Sequence, residues 1–367
     1  MQLADPIQEG ARILTICNAC RYCEGYCAVF PAMERRLNFP EADLNYLANL
    51  CHQCAECFYA CQYAPPHEFA VNVPKTLAEI RAQSYQKYAW PRPLGSAFPH
   101  TARWAGYILA ICLIVSVVAM AMLPGMDIAS GDFYGVVPHG VMAGLYSAVS
   151  VFVVLALLIG VGRCWREWKK GLAELATPAA LGSATKDVLR LRYLDNTGAG
   201  CTYPREQDSQ SRRWFHHFTF YGFLLCFAAT SVAAVYHYLF GWRAPYGYFS
   251  LPVILGTAGG IGLLIGPAGL YWLKQHRDPS IADAKQDGMD VSFLTLLFLT
   301  SITGVLLLAL RQTLAMGPLL VIHLGIVLAL FLTLPYGKFV HGFYRSAALV
   351  RYALERLAGE PPKPPSS

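Results

Sequence analysis

Charge is scarce in this chain. Only 14% of its 367 residues are Asp, Glu, Lys or Arg, where soluble domains carry about a quarter. The shortage is local: the first hundred residues look soluble and the remainder does not. Six stretches, 104–123, 138–162, 214–240, 250–273, 291–310 and 317–335, contain no Lys, Arg, Asp or Glu at all. Each is long enough to cross a hydrocarbon core of roughly 30 Å as a helix. Six such runs in series exclude an ordinary soluble protein, because buried soluble helices of that length rarely lack every charge. Strand signals are weak, which argues against a β-rich ferredoxin. No G-x-G-x-x-G follows a strand, so no FAD or NAD site is expected on this chain. Residues 1–16 lack a basic start and a long apolar core, so no secretory signal is expected there.

Cations are also missing from one side. The net charge of +6 might suggest nucleic acid, but its distribution points to a membrane. With six spans and a cytoplasmic N-terminus, only Arg243 and Arg311 of the 29 Lys and Arg fall outside. That is a strong positive-inside bias. The expected setting is a bacterial inner membrane with residues 1–90 in the reducing cytoplasm, where thiolates persist.

What is abundant is cysteine, in a pattern. Cys17, Cys20, Cys23 and Cys27 read C-x2-C-x2-C-x3-C, and Cys51, Cys54, Cys57 and Cys61 repeat that spacing. This is the ligand run of a protein with two [4Fe–4S] clusters. In such proteins the fourth cysteine of each run serves the other cluster. The expected sets are Cys17, Cys20, Cys23 and Cys61 for one, and Cys51, Cys54, Cys57 and Cys27 for the other. Bacterial runs usually place Pro directly after the fourth cysteine. Here Ala28 and Gln62 follow, with Pro31 and Pro65 a few residues later. Structural zinc is the competing reading, but a zinc site needs neither the third nor the fourth cysteine of each run. Cys112 and Cys226 lie in spans and read as core, and Cys201 receives no role.

The organisation follows. The fold class is all-α: an N-terminal helical two-[4Fe–4S] ferredoxin-like domain (1–90), a stiff linker (91–103) and a six-helix transmembrane cytochrome b-like bundle (104–335) with a cytoplasmic loop (163–213). A basic amphipathic tail with a disordered end (336–367) is expected to lie along the inner membrane surface.

Histidine inside a membrane is costly and usually functional. His216, His217 and His237 lie on the third span, and His323 and His341 lie on or just after the sixth. His323 and His341 are separated by five helical turns, about 27 Å along an axis. Matched depths on antiparallel helices suit the axial ligands of two b-type haems. The outer pair is expected to be His237 with His323, with His139 able to replace His237. The inner pair is His341 with one of His216 and His217, helix geometry preferring His216. Arg243 and Arg311 outside, and Arg212 and Arg213 inside, could pair with haem propionates. His52 and His67 flank the second cysteine run and could tune its cluster.

These features resemble the tricarballylate utilisation protein B family, the CitB type, along nearly the whole chain. The resemblance rests on the double cysteine run, on Tyr193-Leu194-Asp195 through Gly200-Cys201-Thr202-Tyr203-Pro204, and on Arg212-Arg213-Trp214-Phe215-His216-His217 through Tyr221-Gly222-Phe223. Family members show a more glycine-rich stretch where this chain has residues 196–200. The resemblance implies electron transfer from a partner flavoprotein dehydrogenase, which oxidises tricarballylate to cis-aconitate, through iron-sulfur clusters and haem to quinone. The histidine arrangement is also similar to the cytochrome b subunit of respiratory nitrate reductase. Two alternatives remain: a quinol-oxidising subunit feeding a heterodisulfide- or sulfur-reducing partner, and an iron-sulfur membrane anchor without haem.

The charge asymmetry makes a direct prediction. Reporter fusions at Ala129 and Trp242 should report the outer side and a fusion at Gly198 the cytoplasm; a cytoplasmic signal from Trp242 would reverse the topology.

Overall fold

The computed structural model describes residues 5–122, 133–169, 177–194 and 200–359. The expected turn over residues 196–199 and the expected disordered end, 361–367, lie outside the described residues. Among the described residues no strand forms, and a single antiparallel bridge joins Cys201 and Ser209. The all-α expectation holds.

Five helices build the N-terminal domain. Asp5 caps α1 (Pro6–Cys20) by accepting from the Ile7 N–H at 3.2 Å, and Pro6 opens the helix where its missing N–H costs nothing. Arg21, left-handed at φ 54°, stops it. α2 (Val29–Glu34) is short, and α3 (Glu41–Leu50) starts at Pro40 with Glu41 and Asp43 in its first turn, where the helix dipole favours acid. α4 (Glu56–Tyr59) is a single turn. α5 (Val73–Tyr88) is capped by the Asn72 side chain, which accepts from the Lys75 N–H at 3.1 Å. Leu14, Leu44, Leu47, Leu77 and Ile80 form the core between them, each at most 1% exposed. Gly10 lets α1 sit directly on α5: a Cβ there would lie 2.5 Å from the Ile80 side chain.

The linker is not extended. Residues Arg92–His100 form a 3-10 helix that runs straight into α6 (Thr101–Met122). There follow α7 (Phe133–Val136), α8 (His139–Trp168), α9 (Pro178–Leu189), α10 (Ser211–Phe240), α11 (Leu251–Gln275), α12 (Asp287–Leu310), α13 (Met316–Thr333) and α14 (Val340–Gly359). Six helical stretches, containing α6, α8, α10, α11, α12 and α13, are long and apolar enough to cross a membrane. Their outward faces stay apolar: Ile114, Leu158 and Phe227 are all about 62% exposed, which suits lipid rather than water.

α10 packs along α11, while α13 packs on α6 and α12. The α10–α11 contact is backbone against backbone. A Cβ at Gly259 would lie 2.8 Å from the Cys226 nitrogen, and one at Gly266 would lie 2.5 Å from the Thr219 nitrogen. Small residues permit such approach where no hydrophobic effect drives helices together.

The tail is tied into the protein. α14 packs against α3, α8 and α9, with Tyr344, Ala348, Leu349 and Ala353 buried. Its basic residues find protein partners: Arg345 donates to the Cys51 carbonyl, Arg356 to the Ser183 hydroxyl, and Arg351 meets carboxylates. Arg351 pairs with Asp43 at 2.8 Å and with Glu355 at 2.9 Å, and Glu355 pairs with Arg36 at 2.5 Å. The Tyr46 hydroxyl donates to Glu355 at 3.1 Å, and both guanidiniums lie over the Tyr46 ring. Amphipathicity alone does not say which surface covers the apolar face; here it is protein.

Glu355→Ala would leave the buried guanidiniums of Arg36 and Arg351 sharing Asp43 alone, and breaking such a network costs about 3–5 kcal/mol. The variant should melt at a lower temperature and expose residues 92–100 to limited proteolysis. Unchanged melting and cleavage would show that the network is not what joins the two parts.

Candidate functional site

The two cysteine runs are folded by the same local device. In the first, Cys17 and Cys20 ride the end of α1, the left-handed Arg21 turns the chain, and Cys27 stands just before α2. In the second, α3 delivers Cys51, and left-handed Gln53 (φ 56°) and Ala55 (φ 72°) wrap the chain around Cys54. Cys57 follows in α4 and Cys61 lies just beyond it. Residues with positive φ that are not glycine are uncommon and tend to mark functional turns.

Folding brings the eight thiols into two quartets. Cys17 lies within electrostatic reach of Cys20, Cys23 and Cys61. Cys57 lies within reach of Cys27, Cys51 and Cys54. The fourth cysteine of each run therefore stands with the first three of the other. Burial, then the neighbouring thiols, pushes Cys17 and Cys23 up to about 12 and holds Cys27 and Cys57 well above the ordinary thiol range. Such groups need a strong cationic centre to become thiolates, and binding one expels protons. The first quartet borders an open cavity of about 250 Å³ rimmed by the exposed Tyr22. The second is more enclosed, with Cys51 and Cys54 buried.

The donor set fits iron-sulfur clusters. Soft thiolates in fours are the ligands of [4Fe–4S] centres. Among the described residues, no three His, Cys, Asp or Glu side chains converge to hold a single metal ion.

The expected histidines fall into three groups. His216 on α10 faces His341 on α14, with ring centroids 6.1 Å apart and planes at 72°. His217 points elsewhere, stacking on Tyr221. The His341 Nδ1 faces the Lys338 carbonyl at 2.5 Å, which fixes the proton there and leaves Nε2 as a lone pair. Burial and the charges of Arg345 and Lys338 hold His341 well below the ordinary imidazole range, so it is neutral. The His216 Nδ1 is buried with no hydrogen-bond partner.

The expected outer pair of His237 with His323 is not what the helices assemble. His237 stacks face to face on His139 at 3.9 Å, and face-to-face rings do not point their nitrogens at a shared centre. His323 turns to α12, where Nδ1 meets the Thr303 hydroxyl at 2.9 Å and the ring abuts Gly304. The reason is lateral: matched depth on two helices sets height, whereas α13 is committed to α6 and α12. Arg311, expected free for a propionate, donates to the Tyr246 carbonyl at 2.6 Å and covers the Tyr248 ring.

Several residues escaped the sequence reading. Buried Cys201 lies beside Cys54 and donates to the Leu194 carbonyl at 3.4 Å, and the Thr202 hydroxyl donates to the Cys54 carbonyl at 3.4 Å. Arg345 on α14 donates to the Cys51 carbonyl at 2.8 Å, and Arg81 on α5 donates to the same oxygen at 2.9 Å. Arg212, at the start of α10, donates to the Gln53 carbonyl at 2.5 Å. His52 is held neutral by burial and by Arg345, its Nδ1 facing the Leu50 carbonyl at 2.8 Å. His67 accepts from the Phe69 N–H at 3.1 Å.

Comparison with known proteins agrees with this architecture. Residues 101–362 match the family described as Citrate utilization protein B, and residues 10–87 match its Fer4-like domain. The chain belongs to the citrate utilization protein B family. It is 51% identical to Citrate utilization protein B of Escherichia coli, over 98% of this chain and 95% of that protein. No solved structure matches. Family membership assigns an iron-sulfur-type domain to residues 10–87, joined to a membrane protein.

Proposed function

We propose that this chain is an electron-transfer protein that reoxidises a cytoplasmic flavoprotein dehydrogenase, of the tricarballylate dehydrogenase kind, and passes the electrons to quinone. On this reading it carries two [4Fe–4S] clusters and b haem, lies in the bacterial inner membrane, and keeps its N-terminal domain in the cytoplasm. The clusters and haem supply one-electron redox chemistry when bound. The observation that carries the reading is continuity. Arg345 touches the second cysteine run and lies one helical turn beyond His341 on α14, and His341 faces His216 of the membrane bundle.

The chain's own residues divide the work. Cys17, Cys20, Cys23 and Cys61 hold the outer cluster beside the open cavity, where a partner can approach. Cys27, Cys51, Cys54 and Cys57 would hold the inner cluster, more enclosed than the first, with α14, the Cys201 loop and α5 packed around it. His216 and His341 would hold the haem iron, and the Lys338 carbonyl orients the His341 ring by accepting a hydrogen bond from its Nδ1–H. The reading needs only this inner pair; His139, His237 and His323 are left to helix packing. A quinone has a place to enter: an apolar cavity of about 290 Å³ lies between the 3-10 linker, Trp104 and Phe152. It ends at Tyr336, five residues before His341.

Two experiments test this on the full-length protein purified without oxygen. Iron analysis should return about eight cluster irons per chain, with an EPR signal on reduction, and Cys23→Ser should remove or convert one cluster while sparing most of the other. Stoichiometric zinc with no EPR signal would end the cluster reading. The reduced protein should also show b-type absorption. His341→Ala should abolish it, because iron with one axial imidazole is weakly held, yet keep the cluster signals. Wild-type protein grown with ample haem precursor and lacking b-type absorption would leave an iron-sulfur domain on a membrane anchor.

A further inference from the structure

Three arginines converge on the second cysteine run, each from a different part of the chain. Arg81 comes from α5 of the N-terminal domain, Arg212 from the first turn of α10, and Arg345 from α14. They donate to the carbonyls of Cys51 and Gln53, and Arg81 also donates to Gln53 Oε1 at 3.0 Å. Arg345 lies within electrostatic reach of both others. Among the described residues no carboxylate forms an ion pair with any of the three. The nearby Asp290 is already held by Lys274 and Lys338 at 2.7 and 2.8 Å. Arg81 is only 2% exposed. Gathering three like charges, one buried and two half-buried, without carboxylates is costly; the carbonyls offset part of that cost, and an anion at the same place would offset the rest.

The thiol quartet is where that anion belongs. One of its sulfurs also receives a backbone donor: the Gln53 N–H reaches Cys51 Sγ at 3.4 Å. Around the first quartet the balance is acidic. Glu24 follows Cys23 and lies near Glu34 and Arg21, and the Glu56 carboxylate lies between the two sites, within reach of both Cys23 and Cys201. Net charge, hydrogen bonds to sulfur and solvent exposure are the levers that set a cluster's potential.

We propose that Arg81, Arg212 and Arg345 form a cationic cradle that gives the cluster on Cys27, Cys51, Cys54 and Cys57 a higher reduction potential than the cluster on Cys17, Cys20, Cys23 and Cys61. The inference rests on the iron-sulfur reading above. A [4Fe–4S] cluster with four thiolates is an anion, and reduction adds one more negative charge. Fixed cations stabilise the reduced form more than the oxidised form. Burial acts in the opposite sense, because a low-dielectric site disfavours the added charge. The same low dielectric strengthens three unscreened guanidiniums, and they outweigh it. Reducing equivalents therefore settle on the inner cluster, beside His216 and His341. Two of the three cations belong to the membrane part, so docking of the N-terminal domain sets the potential difference.

The test is an EPR-monitored redox titration of the full-length protein in detergent, without oxygen. The wild type should show two components of different potential, and Cys23→Ser should remove or convert the lower one. Arg345→Gln and Arg212→Gln, which keep a donor to the carbonyls, should each move the higher component down and leave the lower one in place. Arg345→Lys should restore most of the shift. If Arg345→Gln does not fold, Arg212→Gln and Arg81→Gln decide the matter by the same reading. The proposal is overturned if both components move together, if neither moves, or if Cys23→Ser removes the higher one. A preparation with neither cluster iron nor a cluster signal sinks the iron-sulfur reading itself, an outcome distinct from unshifted potentials.

Discussion

The buried network of Arg36, Asp43, Arg351 and Glu355, closed over Tyr46, is the joint on which the molecule turns. Four charges taken out of water must satisfy one another, and they do so only when α3 and α14 are in register. That register places Arg345 on the second cysteine run and His341 opposite His216. Apolar packing alone would allow α14 to slide or rotate along its groove. Ion pairs with fixed partners do not, since each step along the helix would leave a charge unmatched.

The membrane part supplies a second constraint of the opposite kind. α10 and α11 meet closely at glycines of α11, which take the α10 backbone and the Phe215, Thr219 and Cys226 side chains directly, so α10 has little freedom to rotate. Its rotation decides whether His216 or His217 faces α14. The charge-bearing joint and the glycine seam thus act on the two ends of one contact. One holds His341 and the other holds His216.

Much of this was legible in the sequence, and the reasons differ by feature. The six spans were readable because absence of charge over a membrane's thickness has few other causes. The cysteine quartets were readable because the spacing itself encodes which thiols meet, and Cys61 does stand with Cys17, Cys20 and Cys23. The preference for His216 over His217 followed from helical angle alone. What failed were inferences about lateral neighbours. Depth along a helix can be counted from residue numbers, but the face that meets another helix depends on packing. His237 was paired by depth with His323 and instead meets His139. Which surface covers the tail is likewise not readable from its amphipathic pattern, and Arg351 meets Asp43. Arg81 and Arg345 carried no signal, because a basic residue on an amphipathic helix reads the same whether it faces water or a buried carbonyl.

The exchange of fourth cysteines bears on how the domain fails. Cys27 belongs in space with the second run and Cys61 with the first, so each site closes a loop that passes through the other. Inorganic groups bound there would act as interlocked staples, limiting the freedom of the unfolded chain much as crossed disulfides do. Losing one would relax its own loop and leave the other closed. The outer site, open beside Tyr22, is the one that oxygen reaches first. Oxidative damage should therefore be stepwise, the outer site failing before the sheltered one.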